Sequence, residues 1–208
     1  MGVAERRERQ KAELRDTILA AARRIFIEEG AEALTMRRIA EMIEYSPGTI
    51  YLYFESREAI AIQLVREGFE KLVAVIGPAA AVVADPVERI RAIGAAYTEF
   101  GIADPETYKL IFMEDAKYVY AAMTPSAGPE PCATDEPGEQ AFGVLAQAVA
   151  EAVERGLFRP VEAQRTAEAL WAGLHGALSL HITCPVMMPE VRAVATIVQE
   201  SMLAGLRA

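Results

Sequence analysis

The chain is poor in the residues from which metal and redox chemistry is built. Its 208 residues include two cysteines, Cys132 and Cys184, and two histidines, His175 and His181. Neither cysteine sits in a C-x-x-C or other ligand spacing, and two isolated thiols fit a reducing compartment, so the cytoplasm is the expected location. On a helix, the step from His175 to His181 is about 600° of rotation; the rings then point about 240° apart and cannot share a metal ion. No nucleophile elbow, phosphate-binding loop or G-x-G-x-x-G stretch is present. An enzyme would have little to work with, and no catalytic residue, metal or other cofactor is expected. No apolar run reaches the eighteen residues of a membrane span, and the opening "MGVAERRERQKAELRD" has no apolar segment of the secretory kind. No membrane partner is expected. Period-two alternation bounded by hairpin turns is missing, as are internal repeats and low-complexity tracts.

What is present reads as helix. Apolar residues make up 52% of the chain and charged ones 25%, the balance of a globular protein. Leu14, Ile18, Ala21 and Ile25 form one stripe of a helix from Glu5 to Glu29 that stops at Gly30. Thr35 caps a short helix to Ile43, and Ser46 caps another, Pro47 to Phe54, with proline where a missing N–H costs nothing. Ser56 caps a longer helix that Gly77-Pro78 should break after about Ile76. Asp85-Pro86 and Asp104-Pro105 start helices to about Ala103 and through Met113. The proline-rich stretch 124–138 reads as a loop, and helices follow at roughly 139–155, 163–182 and 189–206. The expected fold is all-α.

The net charge of −9 is unevenly spread. Residues 1–66 hold eleven basic and eleven acidic side chains, so the remainder carries the whole excess of acid. Arg6, Arg7, Arg9 and Lys11 lie close to the start, a basic arm able to reach a phosphate backbone or simply a solvated first turn.

Two short helices joined by Glu44-Tyr45 have the spacing of a helix-turn-helix. Ile39, Ile43, Ile50 and Phe54 pack the pair together, which turns Thr49, Tyr51 and Tyr53 outward. Tyrosine hydroxyls and a helix N-terminus are good phosphate partners, whereas an ordinary helical hairpin would use its aromatics as core. The stretch "ALTMRRIAEMIEYSPGTIYLYFESREAI" resembles the DNA-binding signature of the tetracycline-repressor (TetR) family, over roughly residues 10–70. "LWAGLHGAL", with Trp171, His175 and Gly176, resembles the W-x3-H-G motif of one class of TetR C-terminal domains.

That resemblance implies an N-terminal three-helix DNA-binding domain over residues 1–56 and a helical domain for ligand binding and dimerisation over 57–208. It implies that Arg37 reads a base, that Pro47, Gly48 and Tyr51 face base edges, and that Thr35, Thr49, Tyr53 and Arg57 hold phosphates, with Ser46 as a further donor. Glu44-Tyr45 stands where the family usually has Gly-Val, a departure expected to strain the turn by about 1 kcal/mol. It further implies a ligand-relieved repressor that binds a palindromic double-stranded operator. Tyr97, Phe100, Phe112, Met113, Trp171 and His175 become the candidate lining for a small apolar or aromatic effector, alongside Tyr118, Tyr120 and Met123. Read without the family, the same residues are ordinary core and His175 a packed, hydrogen-bonded histidine. Ala146, Ala150, Gly173, Gly176 and Ala177 let helices approach closely, and the expected homodimer interface is the pair near 139–155 and 163–182. A helical adaptor would use the same small residues inside one subunit.

Overall fold

Capping side chains set where most of the helices begin. In the computed structural model, which describes residues 2–113, 119 and 136–208, Thr35, Ser46, Ser56, Asp85 and Asp104 each accept a backbone N–H from the first turn of the helix that follows. The helices are α1 (Val3–Glu29), α2 (Met36–Met42), α3 (Pro47–Tyr51), α4 (Arg57–Ala81), α5 (Pro86–Ala103), α6 (Pro105–Phe112), α7 (Pro137–Glu154), α8 (Ala163–Thr183) and α9 (Val191–Leu206). The described residues contain no strand; their one β-bridge joins Phe158 to Arg207. The expected all-α fold is observed. Tyr118, Tyr120, Met123, Cys132 and most of the anticipated loop lie outside the described residues.

Two boundaries differ from the sequence reading. Helix α4 runs past Gly77-Pro78 to Ala81. A proline in the last turn removes one backbone bond, but Ile76 and Ala80 are buried on either side of it, and burying such side chains is worth roughly 1.5–3 kcal/mol for a large one. Helix α3 ends at Tyr51 rather than Phe54, because the chain tightens: the Leu52 and Tyr53 N–H groups bond to Thr49 and Ile50, three residues back. The tighter turn rolls Tyr53 towards the interior, where it packs half-buried against the core instead of standing free.

One core runs from Ile18 and Ile25 of α1 through Ile39, Ile50 and Phe54 to Leu64 of α4 and Tyr108 of α6. A second gathers Ile90, Val149, Ala152, Phe158 and Leu203 at the far end of the molecule. Helix α4 contributes to both: Ile60 to Ile76 to the first, Ala80 to the second. At Gly68 it lies so close to α6 that a Cβ would overlap Ile111 and come within 3.2 Å of Thr107. Lys71 adds a bridge to Asp104 at 3.1 Å, at the start of α6. No helix of the described residues is long and apolar enough to cross a membrane.

Candidate nucleic-acid interface and effector cavity

Local hydrogen bonds hold the α2–α3 hairpin in shape. Thr35 Oγ1 accepts from Arg38 N at 3.1 Å, Ser46 Oγ accepts from Thr49 N at 3.2 Å, and the Ser46 and Thr49 hydroxyls pair at 3.0 Å. Ile39 and Ile50 are fully buried between the helices and Ile43 half-buried, while the Arg15 guanidinium of α1 lies 5.0 Å above the Phe54 ring. At the turn, Glu44 has φ 60°, the left-handed region that favours glycine. The strain expected from this departure therefore has a structural basis at that residue.

The hairpin's outer face carries most of the anticipated contact residues. Thr35, Arg37, Ser46, Pro47, Gly48 and Tyr51 are exposed, with Tyr51 at 56% and the Arg37 side chain at 84%. Thr49, Tyr53 and Arg57 are half-buried. Arg37 Nε donates to Glu41 at 2.9 Å along its own helix, a surface pair worth little and easily given up for a phosphate or a base. Arg57 Nε donates to Glu58 at 2.9 Å, and that bond holds the Glu58 carboxyl below its ordinary range. Arg38, by contrast, is clamped by both oxygens of Glu29. Arg6, Arg7, Arg9 and Lys11 lie exposed along the first turns of α1, so the anticipated arm is helix.

Some distance away in sequence, helices α4 to α9 line a cavity of about 470 Å³. Helix α4 contributes Phe69, Leu72 and Ile76; α5 contributes Ile90, Ile93, Gly94 and Tyr97; α6 ends in it with Ile111 and Phe112. Phe142 and Leu145 of α7, Leu170, Trp171 and Leu174 of α8 and Gln199 of α9 complete most of the wall. Size and lining are those of a small-molecule site. Phe112 is the hub, with the rings of Phe69, Tyr97, Tyr108, Trp171 and His175 all centred within 5.9 Å of it.

Behind this wall runs a chain of polar contacts. Trp171 Nε1 donates to Tyr97 Oη at 3.1 Å; Tyr97 and Tyr108 pair at 2.9 Å; Tyr108 Oη lies 2.6 Å from His175 Nδ1; and His175 Nε2 lies 3.2 Å from Ser179 Oγ. Burial raises the Tyr108 phenol to about 12, holds Tyr97 well above its ordinary value, and pushes His175 below its own, so the tyrosines keep their protons and the imidazole is neutral. His181 bonds instead to the Met188 carbonyl oxygen, 2.9 Å away. The described residues contain no cluster of three or more possible metal ligands.

Of the six candidate lining residues, the structure brings Tyr97, Phe112 and Trp171 together in the wall and sets His175 directly behind it. Phe100 is buried in the core beside the cavity, and Met113 is partly exposed off it. Sequence reasoning missed Phe69, Leu72 and Ile76, whose three- and four-residue spacing was a usable signal. It also missed Gln199, the one polar residue in the buried stripe Val191, Ala195, Gln199, Leu203 and Leu206.

The anticipated interface residues divide. Ala177 is buried within the subunit, and a side chain at Gly173 would meet Val198 and Met202 of α9. Ala146 and Ala150 are half-buried, and the exposed face of α7 is polar, with Glu139, Gln140, Gln147 and Glu154. The exposed apolar positions are Ala169, Ala172, Gly176 and Leu180 on α8 and Ala193, Ile197 and Ala204 on α9.

Comparison with known proteins supplies the family. Residues 18–64 match the model for bacterial regulatory proteins of the tetR family, and residues 90–202 match that for the tetracyclin repressor-like C-terminal domain. The HTH-type transcriptional activator FasR of Mycolicibacterium smegmatis is 29% identical over 103 residues, 50% of this chain and 47% of FasR. The HTH-type transcriptional repressor AcnR of Corynebacterium diphtheriae is 37% identical over 62 residues, 30% of this chain and 33% of AcnR. The matched stretch is thus about half the length of the first of these curated relatives and about a third of the second. The fold is shared with the fatty acid degradation regulator FadR of Bacillus halodurans (TM-score 0.72, 19% identity, 91% of this chain and 94% of that one). It is shared also with SmeT, the repressor of the Stenotrophomonas maltophilia multidrug efflux pump SmeDEF (TM-score 0.71, 16% identity, 93% and 90%). A helix-turn-helix with an exposed polar face and a C-terminal match over more than half of the sequence lead to one conclusion: this chain belongs to the tetR family of bacterial regulatory proteins, transcriptional regulators rather than enzymes.

Proposed function

We propose that the protein is a cytoplasmic homodimeric repressor that binds a palindromic operator and leaves it when an apolar or aromatic small molecule fills the cavity. The observation that carries this reading is the path of α4. Its cap, Ser56, follows directly on the hairpin, and thirteen residues into the helix Phe69 begins the cavity wall. Because α4 touches α6 closely at Gly68, a ligand that displaces Phe112 pushes on the helix that carries the reading hairpin. In a dimer the two hairpins must sit about 34–36 Å apart to enter successive major grooves, so a shift of a few ångströms unseats one of them. The conclusion rests on repression because AcnR and SmeT are named repressors, although FasR is named an activator.

In this reading Arg37 reads a base edge, and Pro47, Gly48 and Tyr51 lie against the groove floor. Thr35, Ser46, Thr49, Tyr53 and Arg57 hold phosphates, joined by the basic first turns of α1. The expected division into a DNA-binding part (1–56) and an effector-binding part (57–208) follows function, with α4 shared in packing.

The subunits meet through the small and apolar outer faces of α8 and α9, one helix further along than the sequence suggested. Gly176→Arg and Ile197→Glu place charge on that face without entering the subunit, and sedimentation should show monomers; an undisturbed dimer moves the interface elsewhere. The experiment for function is selection of genomic fragments followed by footprinting. It should yield a palindrome whose binding weakens steeply with salt. In Arg37→Ala, preference should relax at one base position by about 1–3 kcal/mol. Retention of random DNA with no preferred site would overturn the reading.

A further inference from the structure

The polar end of the cavity is built of hydrogen-bond acceptors. Gln199 of α9 lies flat on Gly94 of α5, where a Cβ would overlap its amide. Its Nε2 donates to the backbone oxygen of Ile90 at 2.8 Å. A backbone carbonyl only accepts, so this bond fixes the orientation of the amide. Oε1 is the end left over, and it has no partner among the described residues. Gln199 is 8% exposed and lines the cavity.

Tyr97, three residues after Gly94, points the same way for a different reason. The Trp171 N–H can only donate, and it donates to the Tyr97 oxygen. This gives the chain a direction: Trp171 to Tyr97, Tyr97 to Tyr108, Tyr108 to His175 Nδ1, and His175 Nε2–H to Ser179. In that direction every hydrogen finds an acceptor. The alternative, Tyr108 to Tyr97 and Tyr97 to His175 Nδ1, would give up the 2.6 Å contact at Nδ1 for one of 3.2 Å. Tyr97, 6% exposed, therefore shows the cavity a lone pair and no free hydrogen. Glu168, also in the wall, is an acceptor already paired with Arg165 at 2.7 Å. Gln164 can offer either polarity, but it is exposed and so already solvated.

We propose that the cavity selects an apolar molecule whose polar end donates hydrogen bonds, namely an alcohol, a phenol or an amine, and that Gln199 and Tyr97 are the residues that select it. An ether, ester, ketone or carboxylate brings lone pairs against lone pairs and is rejected. This rests on the reading of the cavity as an effector site, and the test separates the two.

The probes are 4-propylphenol, 4-propylanisole, 4-propylbenzoate and propylbenzene, titrated into the full-length protein and followed by the fluorescence of Trp171, the single tryptophan, which lines the cavity. The phenol should bind about tenfold more tightly than propylbenzene or the anisole, the worth of one net hydrogen bond. That preference should shrink in Gln199→Met, which keeps the volume, and independently in Tyr97→Phe. Anisole or benzoate binding as tightly as the phenol overturns the proposal, and so does a phenol preference that survives intact in both variants. Binding of propylbenzene with no preference among the four sinks this proposal alone. Failure of all four to bind removes the effector site and this inference with it.

Discussion

In the α2–α3 hairpin, the hydrogen bonds that hold the exposed face join residues three or four apart: Thr35 to Arg38, Ser46 to Thr49, Arg37 to Glu41. In the cavity, the bonds that tie one helix to another reach residues 67 to 109 apart, Tyr108 to His175, Trp171 to Tyr97 and Gln199 to Ile90, beside shorter steps from Tyr97 to Tyr108 and from His175 to Ser179. The reading face is thus a local structure, pinned by its own caps and aimed outward, while the cavity exists only once six helices have packed. A regulator gains from this contrast. Under the proposed function, a rigid hairpin would keep its side chains aligned with DNA, and a wall assembled from distant segments would repack around a ligand and move α4 as it does so.

Neighbouring residues in α3 offer the largest test of that contrast. Ile50 is fully buried under the hairpin and Tyr51 stands on its outer face. Ile50→Ala should cost about 2–5 kcal/mol of stability, seen as a fall in the thermal midpoint and a loss of helix alignment. Tyr51→Ala should leave the midpoint within about 0.5 kcal/mol of the parent while operator affinity drops. If both variants lose stability equally, Tyr51 is core and the outward face has been misplaced.

Legibility in the sequence follows the same divide. The hairpin, its caps and the two Asp-Pro starts were readable because each is decided within about five residues, by a side-chain oxygen or a proline at a fixed offset. The end of α4 was not, since Gly77-Pro78 is a strong local stop that only the burial of Ile76 and Ala80 overrides. The inward roll of Tyr53 was hidden for a similar reason, depending on whether one turn closes on the third or the fourth residue. At the cavity, Tyr97, Phe112 and Trp171 were candidates from type and resemblance, but nothing in the linear spacing separates Phe112, at the hub, from its neighbour Met113, which lies off the wall. Gln199 becomes meaningful only when Gly94 and Ile90 are seen beneath it. Of the small residues expected at a subunit interface, Gly173 and Ala177 serve the inside of the subunit, whereas Gly176 is exposed on the surface of α8.

A smaller effect sharpens the local side. Glu44 occupies a left-handed conformation at φ 60°, so Glu44→Gly should stabilise the hairpin by about 1 kcal/mol despite the entropy that glycine adds to the unfolded chain. Unchanged thermal unfolding would mean that Glu44 makes a compensating contact.

The smallest effect belongs to the distant side, through pH. Burial holds the His175 pKa below its ordinary 6.5. The unfolded chain therefore takes up the proton first, and stability present above pH 6.5 is lost as the pH falls through the interval between 6.5 and the folded value. Protonation also takes the acceptor away from Tyr108. Glu29, Glu58, Glu99, Asp104 and Glu200 have pKa values lowered from 3.8 or 4.5 and lose their contribution only in more acidic solution. The stability–pH curve should thus show a shallow step just under 6.5 that is absent in His175→Gln; a step that persists in the variant belongs to another group.

The central claim is that the two regions share α4 and exclude each other's ligands. The direct measurement is the affinity of 4-propylphenol with and without saturating operator, read by Trp171 fluorescence. Coupling of 1–3 kcal/mol predicts that DNA weakens the ligand by roughly 5- to 150-fold, the same factor by which the ligand weakens DNA. Equal affinities in the two titrations would contradict the account, however tightly the molecule binds.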